Sequence, residues 1–229
     1  MAIKALLVDY YGILVREDDA TIKDICRGIC ESSPMSITQA DVVRYWWEQT
    51  LAAYRSSFDN TYIPLKDLEF RVLEKTLAQF RAKMDPQDIY TMLLRSRQSP
   101  EAYPDARLFL INLPIPVTLM SNADREDFSL SLRRTQLNAK DIFCSQDAKA
   151  YKPRAEFYRA AAQAMGYTPG EILIVGDSLI YDIQPAHQEG FPTAWINRAA
   201  RPVPTDCPAD VVFSSLGRLR SEMERGSRK

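Results

Sequence analysis

Short runs of β-branched and aliphatic residues recur along the chain, and each ends abruptly at a polar residue. The clearest are Ile3 to Val8, Val117 to Met120 and Ile172 to Val175. Uninterrupted apolar runs of this length are typical of parallel strands that are buried on both faces. Shorter runs of the same kind predict further strands at Ile142 to Cys144, Thr193 to Ile196 and Val211 to Phe213.

Amphipathic stretches of helical length separate these runs in the second half of the chain. Two of them are Phe128 to Leu137 and Ala155 to Met165. Alternation of strand and helix is the pattern of a doubly wound α/β sheet. We therefore predict an α/β core built on a parallel, Rossmann-like sheet.

The stretch from residue 18 to residue 99 differs, because it contains no strand-like run and its apolar residues follow three-and-four spacing. This spacing joins Val42, Val43, Trp46, Trp47, Leu51 and Tyr54. It predicts helices, with breaks marked by Pro34, Pro64 and Pro86, since proline cannot continue a helix. We predict a helical cap domain at residues 18–99, inserted into a core domain of residues 1–17 and 100–229. Ligands of such sheets bind outside the carboxyl ends of the strands, where an insert after the first strand would act as a lid.

The aromatic residues of the predicted cap allow two interpretations. Tyr45, Trp46, Trp47 and Tyr54 either line an apolar pocket or form the core of the cap itself. Helical spacing alone does not separate the two.

Composition places the chain among ordinary globular proteins, with 46% hydrophobic residues, 26% charged residues and a net charge of -1 over 229 residues. This balance argues against a nucleic-acid partner. The basic residues from Arg218 to Lys229 are interrupted by Glu222 and Glu224, which favours a solvated helix end or tail. The opening apolar run from Ala5 to Val8 is too short for a signal peptide or a membrane span. We therefore expect a cytoplasmic protein without a membrane partner.

The cysteines do not indicate a disulfide framework or a zinc site. Cys26 and Cys30 lie one turn apart in a predicted helix, where reduced, partly buried thiols are the simpler interpretation. A thiolate metal site would need two further soft ligands, and the single histidine, His187, is distant in the sequence.

Polar residues that follow the predicted strands form a candidate active site, because the carboxyl ends of parallel strands face one crevice. Asp9 can act as a nucleophile that divides one difficult step into two. The hydroxyl of Ser121 and the backbone N–H of Asn122 can hold anionic oxygens, and the Lys152 ammonium can neutralise charge on substrate and nucleophile.

Two further carboxylates, Asp177 and Asp182, follow the strand that begins at Ile172. With Asp9 they would complete the all-oxygen site that Mg²⁺ prefers.

Four stretches together resemble the ordered motifs of the haloacid dehalogenase (HAD) superfamily. They are VDYYGIL (Val8 to Leu14), MSNAD (Met120 to Asp124), KPRAEFY (Lys152 to Tyr158) and VGDSLIYDI (Val175 to Ile183). The predicted helical insert resembles the family's helical cap, so the resemblance extends over most of the chain.

The resemblance implies roles for single residues. It implies Asp9 as the nucleophile, Ser121 as a phosphate or carboxylate ligand and Lys152 as the charge-neutralising residue. It also implies Asp177 as a magnesium ligand. Asp182 would support the metal or hold Lys152. Alternatively, it has no catalytic role and is simply a carboxylate that the helix dipole favours at a helix N-terminus.

The first motif departs from the phosphatases of the family. They carry an aspartate two positions after the nucleophile as general acid and base, and here that position is Tyr11. Loss of such an acid costs about a hundredfold to ten-thousandfold in rate. Ile13 also replaces the usual threonine. Tyr11 remains able to contact substrate and to offer its backbone carbonyl to a metal. The leading hypothesis is therefore a Mg²⁺-dependent phosphohydrolase for a small molecule with a good leaving group, such as an acyl phosphate.

Tyr11 supports a second hypothesis, because the dehalogenase branch resembles this chain in its aspartate, any residue, tyrosine and glycine. A halide leaves without a proton, so this reaction needs no general acid at this position, and the resemblance to that branch also implies that no metal is required. Against it, Asp177 and Leu179 stand where that branch has serine and asparagine. Arg44 is a positional candidate for binding the substrate carboxylate, and an exposed helix-face arginine is the alternative.

A third hypothesis is a binding or regulatory protein that has kept the fold and lost turnover, for which Tyr11 and Ile13 are the evidence. Whichever hypothesis holds, we expect a monomer or a homodimer that binds a small molecule.

Overall fold

A computed structural model describes residues 2–17, 19–111 and 113–226. Its sheet has six strands, all paired in parallel, in the order β3-β2-β1-β4-β5-β6. Their bounds are β1 Ala5–Asp9, β2 Val117–Ser121, β3 Asp141–Cys144, β4 Ile172–Gly176, β5 Thr193–Ile196 and β6 Val211–Phe213. All six predicted strands are confirmed, and so is the Rossmann-like α/β fold.

The apolar sequences of the central strands are explained by burial on both faces of the sheet. Along β1, Leu6 and Val8 belong to one buried cluster, while Ala5 and Leu7 belong to another. The chain runs outward from β1 through β2 to β3 and then returns to β4 on the other side of β1. A crevice opens at such a switch point, outside the carboxyl ends of the strands. The end of β1, at Asp9, therefore borders this crevice.

Four helices follow β1, and their bounds are α1 Asp19–Ser32, α2 Gln39–Ser56, α3 Leu65–Phe80 and α4 Pro86–Gln98, with a 3₁₀ turn at Asp59–Thr61 between α2 and α3. We call residues 19–98 the helical insert. Its helices share a buried cluster that includes Ile25, Val42, Leu73 and Ile89.

The helix breaks of the insert lie at the predicted prolines. Pro34 lies between α1 and α2, Pro64 directly precedes α3, and Pro86 is the first residue of α4. Proline suits the first helical position, because its missing N–H would have no partner there. The proposed first residue of the cap, Asp18, lies outside the described residues. The division of the chain into a cap domain and a core domain stays a prediction.

Helices also cover both faces of the sheet, and their bounds are α5 Ala106–Leu110, α6 Arg125–Thr135, α7 Ser145–Ala148, α8 Ala155–Met165, α9 Gln184–Gln188 and α10 Leu216–Gly226, with a π-helical turn at Leu179–Ile183 before α9. The predicted helix at 155–165 is confirmed. The helix predicted from Phe128 begins earlier, at Arg125, and ends at Thr135 because Gln136 adopts a left-handed conformation with φ 54°.

Three further features bear on the sequence expectations. None of the helices in the described part of the chain is long and apolar enough to cross a membrane. The predicted basic C-terminal stretch forms α10 as far as residue 226, and residues 227–229 lie outside the described residues. All four cysteines are free thiols, and Cys26 is buried.

Candidate active site

Asp9 ends β1, and its side chain is almost completely enclosed, with 8% of the residue exposed. The backbone N–H of Tyr10 donates to Oδ1 at 2.8 Å. Lys152 Nζ lies 2.8 Å from Oδ2. One oxygen is therefore held by the backbone and the other by an ammonium, which fixes the orientation of the carboxylate.

Lys152 lies between two buried carboxylates, with only 3% of its surface exposed. Its Nζ is 2.8 Å from Asp9 Oδ2 and 2.7 Å from Asp182 Oδ1. Asn122 holds the backbone of the lysine on both sides. The Asn122 amide donates to the Lys152 carbonyl at 3.0 Å and accepts from the Lys152 N–H at 2.8 Å. The Asn122 side chain thus positions Lys152, and its predicted part in anion binding rests on its backbone N–H.

Asp182 is completely buried and lies in the π-helical turn. One of its oxygens bonds Lys152, and the other accepts the N–H of Ser178 at 3.1 Å. Gly176 makes room for it, since a Cβ at that glycine would lie 2.3 Å from the Asp182 Cβ. Of the predicted roles for Asp182, the geometry supports the one in which it holds Lys152.

Asp177 follows β4, and its carboxylate packs against Gly12. A Cβ at Gly12 would lie 2.7 Å from Asp177 Oδ2, and the φ of 79° at Gly12 also favours glycine. The Asp177 backbone carbonyl accepts hydrogen bonds from Trp195 Nε1, at 2.8 Å, and from the Arg201 guanidinium. The turn after β4 is therefore fixed through its backbone.

The electrostatics of the site follow from three neighbouring carboxylates, of which Asp9 and Asp182 share the Lys152 ammonium. Burial, with repulsion from Asp182, raises the pKa of Asp9 to about 7, although Lys152 opposes this shift. Burial, together with the negative charges of Asp182 and Asp9, also raises the pKa of Asp177 well above its usual value. Burial works to lower the pKa of Lys152, but its two carboxylate partners hold it above the ordinary value. Lys152 is therefore charged at neutral pH.

The carboxylates of Asp9, Asp177 and Asp182 each offer one oxygen, and these three atoms lie within 4.8 Å of one another. This all-carboxylate donor set fits a hard cation such as Mg²⁺. Both Asp182 oxygens are already engaged by Lys152 and Ser178. Both Asp9 oxygens are also engaged, by the Tyr10 N–H and by Lys152, so Asp177 is the carboxylate best placed to hold a metal directly.

Ser121 ends β2 and is 2% exposed. Its Oγ accepts the N–H of Ala123 at 3.0 Å. Because the oxygen is used as an acceptor there, the hydroxyl hydrogen remains able to donate to an anionic ligand in the adjoining cavity.

Tyr11 lies beside the nucleophile, but its phenol is directed at the insert. The hydroxyl donates to the backbone carbonyl of Arg97 at 3.0 Å, and burial raises the pKa of the phenol. Its proton is therefore committed to the Arg97 carbonyl. Ile13 is completely buried, so neither departure from the phosphatase motif places a proton donor next to Asp9.

A cavity of about 670 Å³ lies between the carboxyl edge of the sheet and the helical insert. The sheet side contributes Asp9, Ser121, Asn122, Lys152 and Asp177. The insert side includes Trp47, Tyr54, Glu69, Leu93 and Arg97. The candidate catalytic residues therefore meet at one end of a cavity that the insert covers.

The two interpretations of the insert aromatics each hold for part of the set. Trp47 and Tyr54 line the cavity, whereas Tyr45 and Trp46 pack against the buried cluster of the insert. Arg44 is exposed and pairs with Asp41 at 2.8 Å, so it is a helix-face arginine and does not line the cavity.

Arg97, which sequence reasoning missed, is the insert arginine that does line the cavity. It forms a shielded ion pair with Glu69. The sequence contains a pattern that could have identified it. Ile89, Leu93 and Arg97 are spaced by four residues and therefore share the buried face of α4.

A model of the haloacid dehalogenase-like hydrolase family matches residues 3–190. The chain belongs to this family. It is also similar to (S)-2-haloacid dehalogenase 4A of Burkholderia cepacia, with 25% identity over 207 residues that cover 88% of this chain and 86% of the relative. Family membership makes the protein a HAD-like hydrolase, as the four motifs predicted.

Solved structures share the fold over nearly the whole chain. The L-2-haloacid dehalogenase of Xanthobacter autotrophicus with chloropropionic acid covalently bound has a TM-score of 0.72 at 19% identity, covering 98% of this chain and 99% of the other. The Bacillus subtilis protein YfnB in a magnesium-bound form has a TM-score of 0.69 at 19% identity, covering 97% and 99%. At these identities the likeness supports the fold alone.

Proposed function

We propose that this hydrolase displaces a leaving group from the carbon next to a carboxylate, in the manner of a 2-haloacid dehalogenase, through an ester on Asp9. The observation that carries the proposal is an oriented Asp9 carboxylate with no proton donor beside it, since the Tyr11 phenol donates to the Arg97 carbonyl. A halide leaves as a stable anion and needs no proton. The similarity to curated 2-haloacid dehalogenases supports this hypothesis over the phosphohydrolase that the sequence favoured.

The reaction takes place in two displacements. An Asp9 oxygen attacks C2, the carbon–halogen bond breaks with its electron pair leaving on the halide, and an ester forms with inversion at C2. Water then attacks the Asp9 carboxyl carbon, which releases the 2-hydroxy acid and a proton and restores the carboxylate. The 2-hydroxy acid therefore has the opposite configuration to the substrate at C2, and its new oxygen comes from Asp9.

Lys152 and Ser121 have supporting roles in this reaction. The Lys152 ammonium, held by Asp182 at 2.7 Å, offsets the negative charge of the nucleophile and of the incoming carboxylate. The hydroxyl of Ser121 donates to the substrate carboxylate from the cavity wall.

The second displacement has weaker support from the protein, because Leu179 lines the cavity where a hydrogen-bonding side chain would orient the water. We expect ester hydrolysis to be slower than ester formation. Halide release should then begin with a burst equal to the enzyme concentration, followed by a slower steady phase.

The test is chloride release from (S)-2-chloropropionate in the presence of EDTA, with Asp9→Asn as the inactive control. A single turnover in ¹⁸O-water, with enzyme in excess, should label the peptide that contains Asp9 and leave the hydroxy acid unlabelled. Label in the hydroxy acid after one turnover would contradict a covalent ester on Asp9.

A second candidate, a Mg²⁺-dependent phosphohydrolase, is favoured by the carboxylate oxygens that lie within 4.8 Å of one another. The Asp9 and Asp177 carboxylates and the Tyr11 carbonyl would hold the ion. When bound, Mg²⁺ would offset the charge of these carboxylates and of a phosphoryl group. Acetyl phosphate is the diagnostic substrate because its leaving group needs no acid. Hydrolysis that requires Mg²⁺ and is lost in both Asp9→Asn and Asp177→Asn would support this candidate.

A further inference from the structure

Three large apolar side chains that the fold leaves exposed converge on the cavity that contains Asp9. Ile22 of α1 is 36% exposed, Trp47 of α2 is 49% exposed and Ile180 of the π-helical turn is 46% exposed. All three line the cavity, although they come from different elements. Exposed apolar side chains that cluster at a concave site are typical of a ligand-binding surface.

A wall of aromatic rings continues this apolar surface inward. The Trp47 ring contacts the Tyr181 ring edge-to-face, with their centroids 5.2 Å apart. Tyr181 in turn lies 6.0 Å from Tyr54, which is 9% exposed. Because Trp47 and Tyr54 belong to the insert and Tyr181 to the core, the wall is formed by both sides of the cavity.

The charges along the cavity argue against a second anionic group on the ligand, because the lining includes the carboxylates of Glu17 and Asp19. Arg97 is paired with Glu69, Arg16 lies 3.1 Å from Glu101, and Arg201 donates to the Asp177 carbonyl. Among the described residues, Arg97 and Arg16 are thus paired with carboxylates, and Arg201 is held by a backbone carbonyl. In the proposed function, Lys152 and Ser121 bind the substrate carboxylate at the end of the cavity that contains Asp9.

The size of the cavity points the same way. Its volume of about 670 Å³ falls within the range of roughly 300–1,000 Å³ that holds ligands of drug size. An acid of three carbon atoms would leave the side chains of Ile22, Trp47 and Ile180 in contact with water.

We propose that the mouth formed by Ile22, Trp47 and Ile180 binds a neutral apolar group of at least the size of a benzene ring, so that the substrate is a 2-substituted acid with a bulky apolar side chain. The position of the reacting carbon rests on the proposed function. The apolar subsite itself rests on the exposed side chains and the aromatic wall.

Binding of reaction products tests the subsite without turnover. We would measure dissociation constants of (R)-3-phenyllactate and (R)-lactate by isothermal titration calorimetry. Phenyllactate should bind at least about tenfold more tightly than lactate, since even one methylene group in an apolar pocket is worth about that factor. Trp47→Ala should remove most of the preference. Met92→Ala should keep it, because Met92 is an exposed side chain of the insert, 37% exposed, outside the cavity lining.

Equal binding of the two acids, no phenyllactate binding at millimolar concentration, or a preference that survives in Trp47→Ala would overturn the subsite. Turnover of (S)-2-bromo-3-phenylpropionate and (S)-2-bromopropionate separates the two proposals. Bromide release from both at equal kcat/KM would support the proposed function and overturn the subsite. A Trp47-dependent preference for phenyllactate without any bromide release would support the subsite and contradict the proposed carbon–halogen hydrolysis.

Discussion

Lys152→Met offers a direct test of the electrostatic description of the site. Methionine keeps much of the volume of the lysine side chain and removes the ammonium that lies 2.8 Å from Asp9 and 2.7 Å from Asp182. All three residues are buried, so little solvent reaches the carboxylates that lose their partner. Removing one member of a buried ion pair typically costs about 3–5 kcal/mol, because the remaining charge is left uncompensated. We expect a loss of that size in the free energy of unfolding at pH 8.5.

The loss should shrink as the pH falls, and the sign follows from the pKa of Asp9. In the wild type this pKa is raised to about 7, so the folded state takes up a proton as pH falls through 7, above the unfolded range of aspartate. Without Lys152 the pKa of Asp9 rises further, and the variant takes up its proton at higher pH. As pH falls, the variant regains about 1.4 kcal/mol of stability relative to wild type for each pH unit in which Asp9 is protonated in the variant and ionised in the wild type. The difference from wild type should therefore be about 1–2 kcal/mol smaller at pH 6 than at pH 8.5.

Urea unfolding at the two pH values, followed by circular dichroism, gives the measurement. Lys140→Met is the matched control, because Lys140 is exposed and its replacement should change stability by less than about 0.5 kcal/mol. A loss for Lys152→Met that is equal at both pH values would assign the effect to packing and refute the reasoning. A loss below about 1 kcal/mol would mean that the triad of charges does not exist in solution.

Three further predictions follow from other contacts. Asp124→Ala removes the acceptor of the N–H groups of Leu65 and Lys66, bonded at 3.0 and 3.1 Å at the start of α3, and should lower the free energy of unfolding by about 1 kcal/mol in urea. Because the nucleophile must be ionised and the pKa of Asp9 is about 7, kcat/KM for halide release should rise with pH up to about 7 and then level off; a flat profile from pH 5.5 to 8.5 would contradict this. Leu179→Asn should raise the steady rate that follows the halide burst, and stopped-flow measurement of an unchanged steady rate would exclude a water-orienting role at this position.

Much of the fold could be predicted because it is encoded locally. Each strand is a short apolar run, the central strands are buried on both faces, and the prolines of the insert lie at helix boundaries. Asp9, Ser121 and Asp177 could be assigned to one crevice because residues that follow parallel strands meet at one edge of the sheet. The exception was Asn122, whose side chain binds the Lys152 backbone, an interaction between segments that only the fold brings together.

The cavity walls could not be predicted, because they depend on how the insert packs against the core. Trp46 and Trp47 are neighbours in sequence, yet Trp46 packs within the insert and Trp47 faces the cavity. Successive residues on a helix point about 100° apart, so α2 presents one apolar face to the insert and another to the ligand space. The spacing of apolar residues along α2 indicates only how wide its apolar surface is. It does not indicate which part of that surface packs against the protein and which part faces the cavity.

The hydrogen bond from Tyr11 to Arg97 links the departure from the phosphatase motif to the position of the insert. It joins residues 86 positions apart, and Arg97 also pairs with Glu69 of α3 through its side chain. The position that supplies a general acid in phosphatases of the family therefore connects the nucleophile loop to α4 here. A residue cannot both donate its proton to a fixed backbone carbonyl and donate it to a leaving group. This contact, between two residues that line the cavity, thus favours substrates whose leaving group departs unprotonated, and it joins the fold to the proposed carbon–halogen chemistry.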